Sequence, residues 1–177
     1  MATWANEVVG VNLIKQSELL HALVAEALAA KELQYSVFAC DPDFADTALF
    51  CEKYGFRLEQ SANAIIVATK VEPFRFACCI VLANTKLDVN RMVSKLLGAK
   101  KVSFATAEQT MALTGMQIGG VTPFGLPDIP LYVDAAVMAI PEIVLGGGNR
   151  STKVVLRPEQ LLKLANVAIV DGLAVSK

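Results

Sequence analysis

The residues best suited to chemistry in this chain lie in a stretch almost without reactive side chains, TGMQIGGVTPFGLP at 114–127. It holds four glycines and two prolines and sits within a nineteen-residue uncharged run, Gln109 to Pro127. Glycine lets a ligand approach the main chain closely and permits positive φ, and proline stiffens what surrounds it. Gly119-Gly120 followed by Thr122-Pro123, with Gly125 beyond, reads as a fixed turn whose backbone N–H groups could hold a carbonyl, carboxylate or phosphate. The bland alternative is a connection that simply needs tight turns. No Gly-Lys-Ser/Thr follows, so this is not a P-loop, and the GxGxxG spacing is absent.

Two further places could complete such a site. Gly146-Gly147-Gly148-Asn149-Arg150 follows an apolar run and is either a tight turn or a second backbone-lined wall, with Arg150 available to an anion. Asp134 ends LYVD, where it can cap the next segment or orient a site group. Nucleophilic triads are disfavoured, because the single histidine, His21, falls beside a helical apolar stripe far along the chain.

The elements around these residues follow from periodicity. SELLHALVAEALAAK (17–31) predicts an amphipathic helix with Ser17 as N-cap and Leu20, Leu23, Val24, Ala27 and Leu28 as its apolar stripe. QYSVFAC is a strand, and residues 41–55 turn into a helix closed by Gly55. ANAIIVAT (62–69) and FRFACCIVLA (74–83) are strands joined as a hairpin through Lys70–Pro73. A helix spans Asp88 to Leu97, stopped by Gly98; a short strand, KKVSFA, and a helix ending at Gly115 lead into the glycine-rich loop. LYVD, EIVL, KVVL and VAIV read as strands, AAVMAI as a short helix or turn, and RPEQLLKLA as a helix with proline in its first turn. Strands and helices mix without strict alternation, which favours α+β with a mixed sheet.

Composition bounds the rest. The 177 residues, without repeat or long linker, suit one domain; 54% are hydrophobic, 19% charged, and mean hydropathy is +0.48. So apolar a chain buries much surface internally or against a second copy, so a homodimer is a possible arrangement. The run 109–127 has the length of a membrane span, but its glycines, prolines and polar groups would leave backbone unpaired in lipid. The N-terminus has no basic region of the secretory kind, so a cytoplasmic location is expected. Cys40, Cys51, Cys78 and Cys79 lack CxxC spacing and, with one histidine, predict no metal site. No cofactor motif is present. Net charge is −1, divided as −5 over residues 1–60 and +4 over 61–177, so a modest basic surface in the later part could meet phosphates.

Several stretches together resemble the YbaK/ProX family, the freestanding relatives of the editing domain of bacterial prolyl-tRNA synthetases. They are TGMQIGGVTPFG, LDVNRMVSKLLGAKKVSFATAEQ, LYVDAAVM and VLGGGNR, in that order, within residues 35–170; residues 1–30 are a helical extension outside the similarity. The resemblance implies a barrel-like, mostly antiparallel mixed sheet flanked by helices. It also implies hydrolysis of the ester joining a wrong amino acid to a tRNA 3′ end, with water and a substrate ribose hydroxyl contributing to the chemistry. Catalytic positions carried over are Asn63, Gly119, Gly120 and Asp134. Substrate-binding positions are Lys70, Thr122, Pro123, Gly125, Gly146, Gly147, Gly148 and Arg150. The family pattern has a lysine where Asn63 stands; asparagine can donate hydrogen bonds but carries no charge. Lys70 lies more than about 20 Å further along an extended strand at roughly 3.3 Å per residue. The partner implied is an aminoacyl-tRNA 3′ end; a non-catalytic module that binds that end or a small aminoacyl ligand remains the alternative.

Overall fold

The computed structural model describes residues 17–177. The secretory-signal reading and the first part of the N-terminal extension fall outside these residues. The fold class is the one expected, α+β with a mixed, mostly antiparallel sheet flanked by helices.

Helix α1 (Ala22–Ala30) buries Val24 and Leu28. Its N-cap is His21 and not Ser17: the His21 N–H is taken by the Gly147 carbonyl (3.1 Å), so tertiary contact sets where the helix begins. Leu23, expected in the buried stripe, is exposed. After β1 (Ser36–Ala39), helix α2 (Thr47–Tyr54) ends at Gly55, whose φ of 75° gives the left-handed cap that glycine supplies without strain.

The larger sheet has the order β5-β2-β3-β6-β9. Here β2 is Ala62–Thr69, β3 Phe76–Leu82, β5 Val102–Phe104, β6 Leu131–Asp134 and β9 Val167–Val170. The hairpin pairing of β2 with β3 is antiparallel, and β6 joins β3 and β9 in parallel. A second sheet has the order β1-β8-β7, with β7 at Ile143–Gly146 and β8 at Thr152–Leu156. A parallel bridge between Ser61 and Val144 connects the two sheets. Two three-residue strands, β4 (Thr85–Leu87) and β10 (Ala174–Ser176), pair with each other; they are too short to show alternation in the sequence.

Two segments expected as α-helix differ from it. Residues Val89–Val93 form a π-helical turn before α3 (Ser94–Leu96), and Pro158–Lys163 is a 3₁₀ helix. By contrast α4 (Ala107–Thr114) is as expected, with a full capping box between Thr106 and Gln109 and Gly115 in the left-handed region. The main core packs Val24 and Leu28 of α1 against Ile66, Cys78, Ile80, Val133, Leu145 and Val154. Phe38, Phe50 and Phe56 form a separate aromatic cluster with Tyr54.

Asp134 shows how the C-terminal part is held. Its Oδ1 accepts from the Ala136 N–H (2.8 Å), capping α5 (Ala135–Met138), and its Oδ2 accepts from the Ala174 N–H (2.7 Å) in β10. Both carboxylate oxygens are thus committed to backbone. Asp134→Ala is expected to lower stability by about 2 kcal/mol, from the lost cap and an unpaired buried N–H. Urea unfolding measures the change.

Candidate functional site

Strand β2 has β3 along one edge and two different neighbours along the other. At its start, Ser61 bridges to Val144 and the Gln60 carbonyl accepts from the Val144 N–H. At its end, Val67–Thr69 pair with β5, and the Ile66 carbonyl accepts from Ala105. Between them, Asn63–Ile65 have no strand on that side among the described residues. A cleft of about 370 Å³ opens there. Its walls are β2, the first turn of α2 (Asp46, Thr47), the Phe104–Ala105 end of β5, Ile118 and Gly119 of the glycine-rich loop, and the end of β7 with Lys153 of β8.

Asn63 lines this cleft with its amide oriented. The Asn63 Oδ1 accepts from Thr47 Oγ1 at 2.7 Å, leaving Nδ2 with no protein acceptor among the described residues. An amide held by its oxygen presents its two N–H donors in a set direction.

The two glycine clusters pack against each other, backbone on backbone. The Gly148 N–H donates to the Gly120 carbonyl at 2.7 Å, and a Cβ on Gly120 would stand 2.1 Å from the Asn149 carbonyl oxygen. A Cβ on Gly146 would stand 2.4 Å from the Gly120 oxygen. Gly119 (φ 89°) lines the cleft, whereas Gly120 sits behind the wall with its N–H donating to the Gln117 carbonyl at 2.9 Å. The exposed donor anticipated at Gly120 is therefore already spent within the turn.

Of the other positions singled out in the sequence, only Gly146 lines the cleft. Gly147 and Gly148 are buried, packed against Thr152 and beneath His21 and Val24 respectively. Thr122 is fully buried in the interior, and Pro123 and Gly125 border a separate hollow beside α1. Arg150 is a clamp outside the lining. Its Nε and Nη2 donate to the Pro42 carbonyl (3.1 and 2.9 Å), and its Nη1 donates to the Ile118 carbonyl (3.1 Å) and pairs with Asp46 (3.3 Å). Asp134 is absent from the lining. Lys70 borders a neighbouring groove with Lys86, and that groove shares Phe104 with the cleft.

Lys153 had no motif to announce it. It sits inside KVVL, which reads only as a strand, yet it is 5% exposed with its ammonium at the cleft. Nζ donates to the Ala45 carbonyl at 2.5 Å and more weakly to the Gly119 carbonyl at 3.4 Å, and it lies 5.1 Å from the centre of the Phe50 ring. Burial lowers its pKa from 10.5, with opposing help from nearby Cys40 and Asp46. Burial also raises the Cys40 and Cys51 thiols. The four cysteines are free and buried, and no cluster of three metal-binding side chains occurs among the described residues.

The segment that builds this split sheet edge and the loop facing it, residues 41–164, matches the family of aminoacyl-tRNA editing domains. The chain belongs to this family, in its YbaK/ProX-like group. A relative from Enterococcus faecalis named "Putative Cys-tRNA(Pro)/Cys-tRNA(Cys) deacylase EbsC" is 26% identical over 131 residues, 73% of this chain and 77% of the relative. Among solved structures, a protein known only as hypothetical has TM-score 0.75 at 23% identity, covering 84% of this chain and 97% of its own. Another, a "putative trans-editing enzyme for prolyl tRNA synthetase", has TM-score 0.73 at 22% identity, covering 90% and 98%. No helix among the described residues is long and apolar enough to cross a membrane.

Two outcomes are expected. Gly120→Val should lower Tm sharply, because the added carbons meet backbone that cannot yield; thermal unfolding tests this. The second concerns pH. A lysine whose folded pKa lies below its unfolded value destabilises the fold while charged, and that penalty fades as pH rises toward 10.5. Wild type should gain stability relative to Lys153→Met across the window just below that value, read from paired unfolding curves.

Proposed function

We propose that this protein hydrolyses the ester of a mischarged tRNA, with Asn63 and the Gly119 main chain receiving the acyl group. The observation that carries this reading is the Asn63 amide, held through its oxygen by Thr47, with its donors free of protein acceptors among the described residues, in the lining of the cleft that Gly119 also lines. Water attacks the ester carbonyl, the bond from acyl carbon to ribose oxygen breaks, and the ribose oxygen leaves with a proton. Donors fixed where negative charge develops on the carbonyl oxygen lower this barrier. A ribose hydroxyl of the substrate can relay the proton, which suits a lining with no histidine.

The surroundings fit a tRNA 3′ end. Phe104, 55% exposed, stands between the cleft and the groove bordered by Lys70 and Lys86. An exposed ring offers a terminal base a stacking surface, and lysines beyond it meet backbone phosphates. Gly146 and the packed glycine turn hold the wall; Thr122, Pro123, Gly125, Gly147, Gly148, Arg150 and Asp134 act through structure in this reading.

One observation favours a second reading, a binding module without turnover. Asn63 is neutral and cannot exchange a proton at ordinary pH. A screen across mischarged tRNAs separates the two: bound ester released above the uncatalysed rate supports the deacylase, and binding without release supports the module. For the deacylase, Asn63→Ala is expected to cost roughly 100- to 1000-fold in kcat, the range for one oriented donor. Asn63→Lys should alter the rate or the preferred amino acid. An unchanged rate in both variants would remove Asn63 from the mechanism.

A further inference from the structure

The cleft contains a buried ammonium without an ion-paired carboxylate among the described residues. Lys153 is 5% exposed, and no carboxylate lies within ion-pair distance of its Nζ among the described residues. Its two hydrogen-bond acceptors are backbone carbonyls and the Phe50 ring lies 5.1 Å away, whereas an ammonium offers three N–H donors and none of these neighbours carries a negative charge. Transferring an ammonium out of water is costly without a counter-charge. The charged groups near it are Asp46 and Arg150, and Arg150 holds that one carboxylate at 3.3 Å. Cys40 and Cys51, also facing it, have thiols raised above 9.0.

A second feature on the same wall points the same way. Asp46 occupies the N-cap of α2, but its side chain makes no cap hydrogen bond because it turns to Arg150. The first N–H groups of a helix have no intrahelical acceptor, and the positive end of the dipole favours an anion. Asp46 and Thr47 line the cleft together with Lys153.

We propose that Lys153 and the uncapped first turn of α2 form an oxyanion subsite, which selects substrates carrying a carboxylate or phosphate close to the acyl ester. The subsite rests on the assignment of this cleft to an aminoacyl ester and adds the substrate class. The anion can come from the side chain of an acidic amino acid or from the phosphate of the terminal nucleotide. Either would give Nζ a charged acceptor beside the Ala45 and Gly119 carbonyls.

Four probes distinguish the sources. They are 3′-aminoacylamino-3′-deoxyadenosines, hydrolysis-resistant amides bearing glutamyl or glutaminyl groups, each with and without a 5′-phosphate. Calorimetric titration of the wild-type protein at neutral pH should show one anion tightening binding roughly 10- to 100-fold, the size of a hydrogen bond to a charged group. A gain for glutamyl over glutaminyl identifies the side-chain carboxylate; a gain for the 5′-phosphate identifies the nucleotide. Lys153→Met should abolish that gain, with Tm confirming a folded variant. On wild type alone, the gain should disappear as pH rises through the lowered lysine pKa, below 10.5. The probes' shared α-amino group cancels in the comparison. Equal affinity for all four probes, no binding of any, or a gain that survives Lys153→Met overturns the subsite. A Lys153-dependent gain without hydrolysis of the matching esters would sustain the subsite and remove the deacylase assignment; hydrolysis of neutral esters with no gain would do the reverse.

Discussion

Everything in the cleft depends on one close approach of main chain to main chain. The Gly120 carbonyl accepts from Gly148, and neither Gly120 nor Gly146 has room for a Cβ on the side where the two turns meet. A protein interior is packed too tightly to absorb even one extra carbon at such a contact. The contact holds Gly119 at the cleft wall, and Arg150 clamps the same loop through Ile118 and the α2 approach through Pro42 and Asp46. The glycines thus act less by lending donors to a ligand than by letting two loops touch.

The opening itself arises from sheet topology. One edge of β2 is shared between the β7 end and β5, and the three residues between them face the cleft with no strand on that side among the described residues. Placing a polar residue at that interruption costs little, because no ladder or core contact is lost. Asn63 occupies this place, and Thr47 from a separate helix fixes its amide. In the proposed reading, ester hydrolysis needs donors that stay put as charge develops, and a strand braced by a helix is suited to hold them.

Charge completes the arrangement. The polar lining combines neutral groups with a buried ammonium and a carboxylate committed to Arg150. A strongly desolvated cation is expensive for a fold to keep, and this one lies at the cleft and not in the sealed core, which motivates the proposed subsite.

Much of this protein was legible in the chain itself. Apolar runs of strand length in ANAIIVAT and FRFACCIVLA, and glycines closing helices at Gly55 and Gly115, are local signals, readable because a few neighbouring residues decide them. The four motif stretches carried the family, and Asn63 and Gly119 came from that resemblance. Local pattern could not separate Gly119 at the wall from Gly120 behind it, nor show that Asp134 spends both oxygens on backbone, one of them forty residues away in β10. Nor could it find Lys153, which looks like one more strand residue until β8 is packed beside α2 and the loop. Periodicity and turn chemistry are properties of neighbours in sequence. The cleft is made where segments distant in sequence meet, so only the tertiary structure decided which polar groups share it.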